Sequence, residues 1–354
     1  MWVSEFRIES SLNCGGHAFV TKGHLLGPIL EEFKHKKDEL VETLHEIYSD
    51  TMRKLGRHVS DVPREATVTV QGGIGTAAEN EFLLKYYRVD GTGWGTPFLL
   101  VPDVTNVDAE HLERLAAASG DDVYVSGNSP FGVPFWYLRT SASEVERRRL
   151  IASGHPGSLC PKGLLAFNTE FTERPLCTAS RAYQKLKLDE LSKQDLSDDE
   201  LAAAREAVLA KSCICRDLAG SVYIRDGIDP DAKPTICSGP GIVDFCRTAT
   251  LREMVGHIYG RLSLLTDMNR PNMFIRELRL YVEHLRDEIE KRSLKQSNHT
   301  PEYFREFKEN LLRGIDYYRE LSQRFIEEKR RRFLEDLARL REAIEPLMSA
   351  PVTV

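Results

Sequence analysis

A cysteine, two glycines and a histidine lie side by side in the stretch ESSLNCGGHAF, residues 9–19. The pattern of residues 3–8 predicts a strand, so this stretch forms a tight turn at a strand end. The imidazole of His17 has an ordinary pKa near neutral pH, which suits it to abstract a proton from carbon or to return one. A single histidine in a loop more often makes a structural hydrogen bond, so its surroundings decide between the two roles.

Two further glycine-rich turns follow predicted strands. In VTVQGGIGTAAE, Gly72 and Gly73 follow a β-branched strand at 67–70, and in VDGTGWGTPFLLV, Gly95 and Thr96 follow a third strand. Glycine backbones leave their N–H groups unobstructed, and a helix start adds its positive dipole end, so such turns can hold a phosphate. Each pair of glycines is equally compatible with a tight turn that binds no ligand.

The elements between these turns define their relative positions. Apolar residues at near-helical spacing behind a Gly-Pro pair predict a helix at 29–55, and a shorter one is predicted at 77–86. Strands separated by helices indicate βαβ units and a parallel sheet. Ligands of such sheets lie beyond the carboxyl ends of the strands, where all three glycine turns fall.

Taken together, the motifs CGGHAF, VQGGIGTAAE and GWGTPFLLVPD resemble the second half of a family of FMN-dependent (β/α)8-barrel oxidoreductases. Nitronate monooxygenase and the flavin-type enoyl-acyl-carrier-protein reductase typify this family. Its members carry a Gly-Gly-His turn after the sixth strand, Gly-Gly-Ile after the seventh and Gly-Thr-x-Phe-Leu after the eighth. The resemblance covers about residues 3–103.

The resemblance implies an enzyme that binds FMN and acts on a small carbon acid or an unsaturated acyl compound. It implies that Gly15 and Gly16 let the backbone pass close to the flavin and that His17 is the catalytic acid or base. Cys14 departs from the family pattern and could equally be a packed thiol. The implied contacts of the flavin phosphate are Gly72, Gly73, Gly95 and Thr96.

The sequence contains only three of the eight strands that a closed barrel requires. We therefore expect strands 6 to 8 of a TIM barrel in a fragment or split subunit, completed by a polypeptide carrying the N-terminal half. Without that partner, Val68, Val70 and Phe98 should face water, and the chain should form oligomers. The alternative is a smaller open sheet completed by DDVYVSG (121–127) or SVYIRDG (221–227).

The predicted fold class is α/β, with three segments. A partial FMN-binding barrel at 1–120 precedes an irregular region rich in Cys, Gly and Pro at 121–250 and an α-helical hairpin at 251–354. Ser197 and Glu200 form a capping box within the middle segment. Thr300 caps a later helix, in which apolar residues recur every seven positions from Phe304. Further along the chain the same seven-residue spacing resumes, shifted by one position.

Five cysteines of the middle segment lie in Gly- and Pro-rich loops. Thiolates grouped in this way can hold an iron–sulfur cluster or zinc, although the spacing is irregular and no CxxC pair occurs. The alternative is that they are small buried apolar side chains. The candidate metal ligands are Cys160, Cys177, Cys213, Cys215 and Cys237.

Composition limits the classes of function. The 354 residues carry a net charge of −6, which argues against general nucleic-acid binding and favours small molecules or proteins as partners. No stretch is typical of a secretory signal or a membrane span, and an odd count of seven cysteines fits reduced thiols, so a cytoplasmic protein is expected. The competing hypothesis is a non-catalytic interaction or assembly module whose long helices recruit a partner.

Overall fold

A computed structural model describes residues 2–15, 21–160, 162–324 and 327–347. Three parallel strands form one sheet in the order β1-β2-β3, and Ile8 lies opposite Val70 in its register. Two further strands form a separate antiparallel hairpin. The strands are β1 (Glu5–Glu9), β2 (Thr67–Gln71), β3 (Gly91–Gly93), β4 (Val123–Ser126) and β5 (Phe135–Leu138).

Within the described ranges, α-helices make up most of the regular structure, so the fold is mixed α/β with a small parallel sheet. The helices are α1 (Leu26–Lys54), α2 (Ala77–Tyr86), α3 (Gly95–Phe98), α4 (Ala109–Ala116), α5 (Ala142–Ala152), α6 (Arg181–Leu191), α7 (Asp198–Leu209), α8 (Ile214–Asp217), α9 (Gly220–Arg225), α10 (Leu251–Ile258), α11 (Met273–Ser293), α12 (Pro301–Leu321) and α13 (Glu327–Ile344).

Helices with local start signals lie where the sequence predicts them. The predicted limits of α2 are confirmed, and α1 begins three residues earlier than predicted. Ser197 and Glu200 form the expected capping box of α7, and the Thr300 side chain caps α12 by accepting the N–H of Tyr303. These signals act within four residues of chain, so they hold whatever the tertiary fold.

One face of the parallel sheet is covered by helices. It carries Ile8, Val68 and Val70, which share a core with residues of α1, α2, α11, α12 and α13. Val68 is 5% exposed and Val70 is fully buried. The expectation that these valines face water in the isolated chain is therefore wrong, because the C-terminal helices pack over the same core. Phe98 is half-buried.

The opposite face of the sheet is polar and open. The Thr69 hydroxyl donates to Glu5 at 2.5 Å, and the Gln71 amide donates to Glu9 on the neighbouring strand. Among the described residues, no strand pairs with the outer edge of β1 or of β3. The structure thus shows a three-stranded parallel sheet that is compatible with part of a barrel.

The two later segments proposed to complete the sheet do not join it. DDVYVSG contributes β4, which pairs with β5. SVYIRDG belongs mostly to the helix α9. Neither segment pairs with β1 or β3, so the alternative that one of them completes the sheet is wrong.

Three long helices, rather than a simple hairpin, make up most of the described part of the C-terminal segment. α12 buries an apolar stripe that includes Phe304, Leu311 and Tyr318 of the heptad pattern, and Phe333 of α13 joins the same core. Residues 325–326, where the pattern shifts by one position, lie outside the described residues. The stripe packs on the body of this chain.

Candidate functional site

A cleft lies beyond the carboxyl ends of β1, β2 and β3, where the three glycine-rich turns meet. It holds about 450 Å³ of empty space, open solvent included. The lining residues come from these turns and from residues 241–245, and are Leu12, Asn13, Cys14, Gln71, Gly72, Gly73, Ile74, Gly93, Trp94, Gly95, Thr96, Pro97, Gly241 and Phe245. The structure therefore brings together four predicted phosphate contacts at one place.

The glycines of the second turn are required by close packing between turns. Gly72 and Gly73 have φ angles of 99° and 78°, which favour glycine. A Cβ at Gly72 would lie 2.8 Å from Asn13, and one at Gly73 would lie 2.6 Å from the Leu12 side chain. Glycine is thus needed at both positions whether or not a ligand binds. Within the described part of the chain, their N–H groups donate to no protein acceptor.

The N-terminus of α2 is occupied by a carboxylate of the chain itself. Glu79 Oε2 accepts the N–H groups of Gly75 at 2.9 Å and Thr76 at 3.1 Å. Its Oε1 accepts the N–H of Met273 at 2.8 Å. A phosphate in the cleft would therefore meet the N–H groups of the glycine turn, because the helix start beside it already holds a negative charge.

Arg270 holds the second turn in place through hydrogen bonds. Its Nη2 donates to the carbonyl of Gly73 at 2.9 Å, and its Nε donates to Asp244 Oδ2 at 3.2 Å. Asp244 also pairs with Arg276. This buried network connects β2, the 3₁₀ helix Pro240–Asp244 and the start of α11, so the turn has little freedom to change shape.

The third turn contacts the first through Cys14. A Cβ at Gly95 would collide with Cys14 Sγ, so the third turn packs directly against the first. Burial raises the pKa of Cys14. Cys14 is therefore a neutral thiol at the contact between the two turns.

Cys237 lies at this cleft and not with the other cysteines of the middle segment. Its Sγ accepts the N–H of Gly15 at 3.0 Å, and its thiol interacts with Cys14. Burial raises the pKa of Cys237 to about 11. The grouping of Cys237 with the four other cysteines is thus corrected. The Ser-Gly-Pro-Gly run that follows brings Gly239 against Thr96.

His257 is a second histidine near the cleft, and sequence analysis did not single it out. Leu264 N–H donates to its Nδ1 at 3.2 Å, so Nε2 carries the proton and donates to the carbonyl of Gly75 at 3.1 Å. Burial lowers the pKa of His257, and its ring meets the edges of Trp94 and Phe245. These contacts give it the role of a neutral support for the aromatic wall of the cleft.

The predicted catalytic residue cannot be placed. His17 and Gly16 lie outside the described residues. Gly15, which is described, has a φ of 111° and lies beside Cys237. The described residues resume at Thr21, whose hydroxyl contacts the Tyr281 hydroxyl at 2.8 Å.

The other four predicted metal ligands lie apart from the cleft. Cys160 and Cys177 lie in loops before α6, Cys213 directly precedes α8 and Cys215 lies within it. Cys213 Sγ and Cys215 Sγ are 3.9 Å apart, and none of the seven cysteines forms a disulfide. In the described part of the chain, no three His, Cys, Asp or Glu side chains are close enough to hold a metal ion as they stand.

The fold and site define a mixed α/β protein with a cleft at the carboxyl ends of a parallel sheet. Comparison with known protein families, curated proteins and solved structures finds no match for the chain. No helix in the described ranges has the length and apolar character needed to cross a membrane. The arrangement offers backbone donors for an anion and an aromatic wall for a planar ring.

Proposed function

We propose that this chain supplies the last three strands of an FMN-dependent (β/α)8 oxidoreductase, similar to nitronate monooxygenase or enoyl reductase. The supporting observation is that three glycine turns, in the order of that family, meet in one cleft at the carboxyl ends of adjacent parallel strands. Phosphate sites of barrel enzymes commonly use the loops after the last two strands.

The residues at the cleft fit a phosphorylated aromatic ligand. The unused N–H groups of Gly72 and Gly73 suit the phosphate, and Trp94 and Phe245 provide an apolar wall. Bound flavin would supply hydride or electron transfer, and His17 would move a proton at the substrate carbon, a small carbon acid or an unsaturated acyl compound.

The open face of the sheet supports the proposal that a partner polypeptide completes the barrel. Glu5, Arg7 and Glu9 point away from the helix-covered core, and the outer strand edges have no strand partner among the described residues. Barrel interiors are usually filled by branched apolar side chains, so this polar face is a departure from the family. We propose that a separate polypeptide with the first five βα units pairs with β1 and β3.

Flavin binding tests the proposal. The purified chain is titrated with FMN, alone and after co-expression with a candidate N-terminal half-barrel, and quenching of flavin fluorescence is measured. Saturable binding that strengthens with the half-barrel is expected. A chain that binds no FMN in either state would refute the proposal and favour the non-catalytic assembly module, in which the turns are structural.

A further inference from the structure

Two cysteines separated by one residue bring their sulfur atoms together at the start of α8. Cys213 Sγ and Cys215 Sγ are 3.9 Å apart, and both residues are free thiols. Neither of them lines the cleft. Two thiols this close can be oxidised together to a disulfide if the backbone between them allows the bond, and such chemistry goes beyond the function proposed for the cleft.

The backbone between the two cysteines has the spacing that a disulfide requires. Ile214 is the first residue of α8, and Cα atoms on either side of a helical residue are about 5.4 Å apart. Disulfides join Cα atoms that are about 4.4–6.8 Å apart. The two sulfurs must still close from 3.9 Å to about 2.0 Å. This change involves a segment of three residues and no movement of a distant loop.

A tight turn at Cys213 brings the two side chains to the same side of the chain. Along a regular helix, residues two positions apart do not face each other. Cys213 departs from the helix, with a φ of −80° and a ψ of 62°, and the N–H of Ile214 donates to the carbonyl of Ser212 at 2.9 Å. This is an inverse γ-turn. The turn removes the obstacle that a regular helix would present to bonding between Cys213 and Cys215.

Polar contacts fix both ends of this segment. Before the cysteines, Lys211 Nζ donates to the carbonyls of Gly127 at 2.7 Å and Ser129 at 3.0 Å. After them, Arg216 pairs with Asp229 at 2.8 Å. Because the fold holds the two sulfurs close before any reaction, the second thiol acts on the first at a high effective concentration.

The two thiols differ in their access to solvent. Cys213 is only 6% exposed, whereas Cys215 is half-buried. Burial raises the pKa of Cys213, so this thiol keeps its proton and can donate it in the hydrogen bond to the Cys215 sulfur. A molecule from solution therefore reaches Cys215 first, and Cys213 lies behind it as the second thiol.

We propose that Cys213 and Cys215 form a redox-active dithiol that exchanges electrons with low-molecular-weight disulfides. The Cys215 thiolate attacks one sulfur of such a disulfide and breaks its S–S bond, and the small thiolate that leaves takes up the proton that Cys215 released. Cys213 then loses its proton and attacks the Cys215 sulfur, which releases the second small thiol. The dithiol is thereby oxidised by two electrons, and the small disulfide is reduced to two thiols.

Exchange of the full chain with glutathione tests the proposal. The reduced protein is equilibrated anaerobically with mixtures of glutathione and glutathione disulfide, quenched with acid, unfolded and alkylated. Trypsin cleaves after Lys211 and Arg216, so the peptide SCICR (212–216) carries both cysteines and no others. Its mass distinguishes the dithiol, the internal disulfide and the glutathione adduct. The internal disulfide is expected, with an equilibrium constant at least about tenfold larger in the folded protein than in concentrated urea, because the fold holds the sulfurs together.

Single replacements assign the two roles. C213S should accumulate a glutathione adduct at Cys215, because no second thiol then completes the exchange. C215S should form an adduct much more slowly, since Cys213 is buried. C246S, at an exposed cysteine outside the pair, is the matched control and should give the wild-type equilibrium constant.

The wild-type measurement decides the matter even if C213S fails to fold. A wild-type peptide that remains a dithiol in excess glutathione disulfide, or that carries only glutathione adducts, would overturn the proposal. An equilibrium constant no larger in the folded protein than in urea would also overturn it. Flavin binding at the cleft is a separate measurement, so either proposal can fail without the other.

Discussion

Arg270 Nη1 donates to both carboxylate oxygens of Glu79, at 2.8 Å each, and both side chains are more than nine-tenths buried. The two residues are 191 positions apart in sequence. Through this pair, the start of α11 is attached to the start of α2 and to the glycine turn that precedes it. The shape of the cleft therefore depends on a long-range ion pair.

Replacing Arg270 tests this dependence. R270M leaves the Glu79 carboxylate buried without its main partner, which typically costs about 3–5 kcal/mol of unfolding free energy. Adding E79Q should restore part of the loss, since no charge then remains unpaired on α2. Urea unfolding of the two single variants and the double variant measures the coupling.

R247M is the matched control, because the Arg247–Glu253 pair is exposed. It should change the unfolding free energy much less than R270M. Equal losses in R270M and R247M would show that the buried pair has no special role in stability.

Glu277 makes stability depend on pH. Its Oε1 accepts the Ser10 hydroxyl at 2.8 Å and its Oε2 accepts the N–H of Leu26 at 2.9 Å. Burial nevertheless raises the pKa of Glu277 to about 7. The folded state thus retains a proton that the unfolded state loses near pH 4.5. The contribution of the Glu277 carboxyl to stability is therefore complete below that pH.

As the pH rises from about 4.5 to 7, this contribution is lost, up to about 3 kcal/mol at about 1.4 kcal/mol per pKa unit. E277Q cannot titrate, so its unfolding free energy relative to wild type should increase between pH 5 and pH 8. Urea unfolding at both pH values measures the difference. E290Q, at an exposed position of the same helix, should show the same pH dependence as the wild type. If E277Q also shows the wild-type pH dependence, Glu277 is not the group responsible.

Gly241 allows the cleft to be filled without strain. A Cβ there meets only ordinary contacts at 3.8 Å, unlike Gly72 or Gly73, where any side chain would clash with the first turn. G241L should place its side chain in the cleft and weaken FMN binding by at least about tenfold, or about 1.4 kcal/mol. Fluorescence titration measures the dissociation constant.

G127L is the control, since a Cβ at Gly127 meets open space away from the cleft. It should bind FMN as the wild type does. Unchanged affinity in a folded G241L protein would place the flavin site elsewhere.

His17 remains the predicted acid or base of the first turn. H17A should slow the substrate half-reaction by about 100-fold while flavin stays bound, because a positioned acid or base typically contributes that much or more. Anaerobic stopped-flow measurement of flavin reduction gives the rate. H24A removes an exposed histidine further along the chain and should react at the wild-type rate. Equal rates in H17A and wild type would assign His17 a structural role.

The sequence alone determined the features that depend on neighbouring residues. The limits of α2, the Ser197–Glu200 capping box and the Thr300 cap follow from hydrogen bonds that span three or four residues. The convergence of the glycine turns was also predictable, because adjacent parallel strands end at the same edge of a sheet.

Tertiary structure decided what covers the sheet and what completes the cleft. Val68 and Val70 are buried because α11 to α13 share their core, and an apolar stripe does not specify the surface on which it packs. Arg270 and Cys237 join the cleft across roughly 200 residues, where no local pattern records the partner. Cysteine spacing likewise could not show that Cys237 lies apart from Cys213 and Cys215, because long-range packing decides where each loop lies.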